Sequence, residues 1–155
     1  MSRFDPIGIL AALERHRAAY VLIGDLAGVL HGSDLLARQV EIVPSLKPEN
    51  IERLERALTD LDVDPGEQVR EMAKGKRLTI STGAGELTLD PEPTGSTGYA
   101  DLRRAAERQP LGQGLRPAVA SPPDLVRTLT AANDPELGPR LRRIIELDRS
   151  LSPDL

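Results

Sequence analysis

Cysteine and tryptophan are both absent from the 155 residues, and only Phe4, Tyr20 and Tyr99 carry aromatic rings. Without cysteine there is neither a disulfide framework nor a thiolate metal site. Three rings are too few for a base-stacking platform on single-stranded nucleic acid. Histidine is scarce, with only His16 and His31. No apolar run approaches the ~18–20 residues of a membrane-spanning helix. The opening MSRFDPIGIL has one Arg and a short apolar stretch, too little for a signal peptide. A cytoplasmic protein with no membrane contact is the expectation. The formal net charge is −4, so nucleic acid meets no overall positive field, although a local patch is not excluded.

What is present is enough apolar material, 39 % of the chain, to bury the core of one domain. Asp5-Pro6 reads as the start of a helix, with Asp as N-cap and Pro at the first helical position. Ile9, Leu10 and Leu13 then form its apolar stripe as far as His16. Lys47-Pro48-Glu49-Asn50 opens a second helix in which Ile51, Leu54, Leu58 and Leu61 recur at helical spacing. Asp62 to Gly66 stops it, and Val69 to Lys76 is open between a loop and a short helix. Arg77 to Thr82 and Glu86 to Asp90 alternate around Gly83-Ala84-Gly85, which predicts a hairpin. PEPTGSTG, residues 91–98, is an irregular loop, followed by a short helix or turn from Tyr99 to Ala105. A weaker hairpin joins Glu107 to Leu111 with Leu115 to Val119. Helices begin at Ser121-Pro122-Pro123-Asp124 and at Asp134-Pro135, the last with Arg140, Arg142 and Arg143 on a solvated face among Glu136, Glu146 and Asp148. The pattern predicts one α+β domain, a mixed sheet flanked by helices.

The organising stretch is VLIGDLAGVLHGSDLLARQVEIVP, from Val21 to Pro44. It reads as a buried strand from Tyr20 to Ile23, a turn at Gly24, a helix from Leu26 to Leu30 capped by Asp25, a loop, and a strand from Gln39 to Val43. Two residues apart on that strand, Gln39 and Glu41 project from one face while Val40 and Ile42 project from the other.

This layout resembles the nucleotidyltransferase superfamily, in particular small bacterial proteins related to AbiEii-type toxins. Their pattern is roughly I-G-G, then H-G-S, then T-x-D-x-D-I-V. The chain keeps Ile23, Gly24, His31, Gly32, Ser33, Ile42 and Val43, but places Asp25, Ala37, Gln39 and Glu41 where the family has Gly, Thr, Asp and Asp. ELTLDPEPTGSTGYADLRR and VASPPDLVRTLTAAN are similar to two further family phrases, so the resemblance runs from Tyr20 into the last helix and covers most of residues 1–155.

The resemblance implies a nucleotidyltransferase-like sheet, with three acidic side chains holding two Mg²⁺ ions against nucleotide phosphates. It assigns the acidic positions to Gln39, Glu41 and Thr88, and the nucleotide-binding positions to Gly24, Asp25, His31, Gly32 and Ser33. Magnesium demands hard, charged oxygens, and here two of three are neutral. Leu129 and Asp134 stand where the family has Lys and Arg. The expectation is a catalytically inactive protein that needs no cofactor and acts as a binding or regulatory partner of another protein, of the toxin–antitoxin kind. One alternative is an active enzyme acting on RNA or a small hydroxylated acceptor, its Mg²⁺ held by a rearranged set of Glu41, Asp90 and Glu86. A second is a structural interaction module that binds no nucleotide.

Overall fold

Helix α1 (Pro6–Arg15) starts as its sequence dictates: the Asp5 side chain accepts from the Gly8 amide at 3.0 Å, and Pro6 fills a position whose N–H has no helical partner. In the computed structural model, residues 4–33 and 36–132 are described. The helix expected from Asp134 onward, with Arg140, Arg142 and Arg143, lies outside them.

After α1 come β1 (Tyr20–Ile23), α2 (Gly24–Leu30), β2 (Val40–Pro44), α3 (Pro48–Asp60), α4 (Gly66–Ala73), β3 (Leu78–Thr82) and β4 (Gly85–Leu89). The described residues end with α5 (Tyr99–Arg103), β5 (Glu107–Arg108), β6 (Ala118–Val119) and α6 (Pro122–Ala132). The strands form one mixed sheet in the order β3-β4-β2-β1-β6-β5, and the whole is a single α+β domain. β1 runs antiparallel to β2 and parallel to β6, β2 runs parallel to β4, and the hairpins β3–β4 and β5–β6 close the two sides. Central β1 is buried along its whole length, as its unbroken apolar run requires. α1 packs on α3 and α3 on α4, while α2 packs on β1, β2 and α6.

Three helices end in the same way. The residue after the cap turns left-handed, and the next amide reaches back to the carbonyl five residues earlier, a Schellman ending. In α2 the left-handed residue is Gly32 (φ +106°), with Ser33 N–H bonded to the Gly28 carbonyl at 2.9 Å. In α3 it is Asp62 (φ +64°), with Val63 N–H on the Leu58 carbonyl at 2.9 Å. In α1 it is Arg17 (φ +56°), with Ala18 N–H on the Leu13 carbonyl at 3.0 Å. Gly takes this conformation freely and Asp tolerates it, whereas Arg has no local compensation.

Three expectations need adjustment. Asp25 is not the N-cap of α2: Ile23 holds that place in extended conformation, and the helix begins at Gly24 with Asp25 inside its first turn. Gln39 stands just before β2 rather than within it. The segment left open after Asp62 contains α4, where Val69 and Met72, three apart, share the buried face.

One polar side chain inside the core ties several of these elements together. Asn50, 3 % exposed, accepts from the Ala19 amide at 2.6 Å and donates to the Ala19 and Ser45 carbonyls at 2.9 and 2.7 Å. Its position in the first turn of α3 lets it satisfy backbone groups at the start of β1 and the end of β2.

Candidate functional site

Parallel pairing of β2 with β4 sets Glu41 opposite Thr88, and the hairpin sets Thr79 opposite Thr88. Residues paired across a ladder share a face, so alternation puts Gln39, Glu41, Thr88 and Thr79 together. Gln39, Glu41 and Thr88 therefore converge as the strand pattern implies.

The polar groups of this cluster bond to one another. Thr88 is fully buried, and its hydroxyl donates to Gln39 Oε1 at 2.9 Å. A hydroxyl has one proton to give. The 2.9 Å contact between the Thr79 and Thr88 hydroxyls therefore has Thr79 as donor. The result is a directed chain from Thr79 through Thr88 to Gln39.

Beside it, one guanidinium spans two carboxylates. Arg77 Nη2 is 3.9 Å from Glu41 Oε2, and Arg77 Nε is 3.5 Å from Asp90 Oδ2. Burial pushes the Asp90 carboxyl up, while a hydrogen bond from the Glu92 amide and the charge of Arg77 pull it down. On the other side of Glu41, a methyl group placed on Gly24 would stand 3.1 Å from Glu41 Oε1, and Gly24 itself is left-handed at φ +76°. Gly24 is thus the residue type this turn requires, and the Glu41 carboxylate lies against the first turn of α2, where a helix favours negative charge.

Other sequence candidates have structural places of their own. His31 Nε2 donates to the Ala120 carbonyl at 2.8 Å, joining the end of α2 to the segment between β6 and α6. His31, Gly32 and Ser33 together form the C-terminal ending of α2. Glu86 is exposed on β4, two residues before Thr88. Among the described residues no group of three His, Asp or Glu side chains is placed to hold a metal ion. Leu129 is a partly buried side chain packed against the core. No helix of the described residues is long and apolar enough to cross a membrane.

Sequence reasoning missed Arg77 and Thr79. The signal was available: once Leu78 and Ile80 are taken as the inward residues of β3, Arg77 and Thr79 must share the other face. Hairpin register then carries Arg77 to the level of Asp90.

Neither a protein-family model nor a curated protein sequence matches this chain.

Proposed function

We propose that the chain is a nucleotidyltransferase-fold protein that has exchanged metal chemistry for an internal polar network, and that it works as a binding or regulatory partner, of the toxin–antitoxin kind, rather than as a catalyst. The observation that carries this reading is the Arg77 guanidinium beside both Glu41 and Asp90. Two divalent cations need several charged oxygens to offset their mutual repulsion. The cluster offers one carboxylate on β2, an amide oxygen and a hydroxyl, and the last two are bonded to each other. A side-chain cation already stands beside the negative charge. The donor set does not fit Mg²⁺. The same edit extends to the turn before α2, where the Glu41 carboxylate itself lies near the helix start that a phosphate would use.

A second reading has its own observation. Glu41 and Asp90 lie within 4 Å of one guanidinium, so the two carboxylates converge. Movement of Arg77 would leave a displaced acidic pair. One assay separates the readings: incubation of the native chain with labelled nucleoside triphosphates and Mg²⁺, in the presence of RNA. No transfer is the expected result. Robust transfer abolished by Glu41→Ala or Asp90→Ala would establish the second reading instead.

A further inference from the structure

The polar cluster sits at the Ile23 end of β1. At the Tyr20 end the structure opens into a cavity of about 420 Å³, within the ~300–1,000 Å³ range of pockets that hold small ligands. Three arginines from three separate segments line it: Arg17 after α1, Arg103 at the end of α5 and Arg108 in β5. Against them stands a single carboxylate, Glu14, already engaged by the Tyr20 hydroxyl at 2.8 Å. Tyr99 completes the polar lining, with the Arg103 guanidinium 5.8 Å from its ring centre, close enough for the ring to steady the charge. The rest of the wall is four alanines and a valine.

Charge and conformation both set this place apart. Three arginines less one glutamate leave a surplus of two positive charges, in a chain whose net charge is −4. Every ion pair found among the described residues uses other cations, namely Arg15, His16, Lys74, Arg77, Arg104 and Arg127. Arg108 spends one donor on the Arg116 carbonyl at 3.0 Å and keeps the rest of its fork. Arg17 is the most telling. It holds the left-handed position at the end of α1 that α2 gives to Gly32, and a side chain there costs backbone energy that Gly would not. Strain of this kind points from an outlier to a use.

We propose that this cavity binds a small phosphomonoester, with Arg17, Arg103 and Arg108 receiving the phosphate. A surplus of two charges matches a phosphate dianion better than a lone carboxylate, and planar guanidinium forks suit phosphate oxygens. The small apolar wall leaves room for the attached organic group. This site is at the opposite end of β1 from the Glu41 cluster and stands whether or not that cluster has lost its chemistry.

The test is calorimetric titration of the full chain at low ionic strength. The probes are inorganic phosphate, ribose 5-phosphate and adenosine 5′-monophosphate, with ribose and adenosine as neutral counterparts and a 5′-phosphorylated oligonucleotide for comparison. Binding of the phosphomonoesters and not of ribose or adenosine is expected. Arg17→Gly supplies the informative variant: its melting temperature should be unchanged or raised while phosphomonoester affinity falls at least tenfold. Arg103→Gln, an exposed position, should show the same loss and keeps the test valid if Arg17→Gly folds poorly. Undiminished affinity in both variants, equal binding of adenosine and its monophosphate, or no phosphomonoester binding at millimolar concentration would overturn the proposal. Binding of the oligonucleotide alone would overturn the small-molecule assignment.

Discussion

The two ends of β1 handle charge in opposite ways. At the Ile23 end, Thr79, Thr88 and Gln39 bond in series, and Arg77 stands between Glu41 and Asp90. At the Tyr20 end, Arg17, Arg103 and Arg108 face a cavity with one carboxylate among them. A polar network that satisfies itself rigidifies and specifies the fold. A surplus of one sign of charge around a cavity instead raises the local concentration of an opposite ion. The difference teaches where to look for a ligand: the end that resembles an active site by sequence has its groups paired off internally, and the end with no motif keeps its donors available.

The largest effect expected from a single substitution at either end is at Asn50, which holds the Tyr20 end together. Asn50→Leu removes one acceptor and two donors at once, stranding the Ala19 amide and the Ser45 carbonyl, while the Ala19 carbonyl keeps the Ser45 amide at 3.0 Å. Each buried group left without a partner costs ~1–3 kcal/mol, so with two such groups a loss of about 3 kcal/mol is expected. Urea unfolding reads it as a lower midpoint with an unchanged slope. A shift under a third of that size would mean that the start of β1 is held by its apolar neighbours alone.

At the Ile23 end the counterpart is Thr88→Val, which keeps shape and removes the hydroxyl linking Thr79 to Gln39. A loss of about 1–2 kcal/mol is expected, because Gln39 Oε1 and the Thr79 hydroxyl both lose a partner near the surface of the core. If Thr88→Val were neutral, the description of this end as a self-satisfied network would be wrong, and the contrast with the Tyr20 end would lose its basis.

Arg17→Gly runs the other way. Relief of the left-handed conformation is worth about 1 kcal/mol, and the added freedom of Gly in the unfolded chain takes back about half of it. A net gain of about 0.5 kcal/mol is expected, measured by the same urea midpoint. A clear loss of stability would show that the Arg17 side chain is part of the packing and would remove the strain argument for its use.

How much of this was legible in advance follows from the kind of signal each feature leaves. Strands β1 to β4 and their hairpin were readable because alternation and the buried run at Tyr20 to Ile23 are local patterns. So was the convergence of Gln39, Glu41 and Thr88, once two strands were taken as neighbours. Asn50 was not: it looks like an ordinary residue of an opening helix turn, and its partners lie 31 and 5 positions away. The H-G-S phrase has a structural role that the sequence pattern does not display, since Gly32 serves the left-handed ending of α2 and His31 a backbone carbonyl. The cavity left no trace in the sequence because Arg17, Arg103 and Arg108 are brought together only by the addition of β6 and β5 beside β1.

The smallest expected change concerns Arg77, and it is read best by titration. Its side chain is 56 % exposed, so the pairs with Glu41 and Asp90 stabilise by well under 1 kcal/mol. Arg77→Ala should therefore move the urea midpoint little. The Asp90 carboxyl is a finer probe. Burial raises it above the ordinary aspartate range and the charge of Arg77 opposes that rise, so removing the guanidinium should push it higher still. A group with a raised folded-state value holds its proton more tightly in the folded than in the unfolded chain. Its stabilising effect is complete below the unfolded value and is lost as pH rises through the folded one. In the Arg77→Ala protein that loss should extend to higher pH. Asp101 is the internal control: the Arg127 hydrogen bond at 2.9 Å and the Thr97 amide at 3.1 Å hold it at about 2, and Arg77 is not among the groups that do so. Carboxyl carbon shifts followed by NMR from acid to neutral pH would show Asp90 moving up and Asp101 staying in place. An Asp90 titration that ignores the substitution would mean that Arg77 does not act on this carboxylate, and the case for a side-chain cation in place of a metal would lose its central observation.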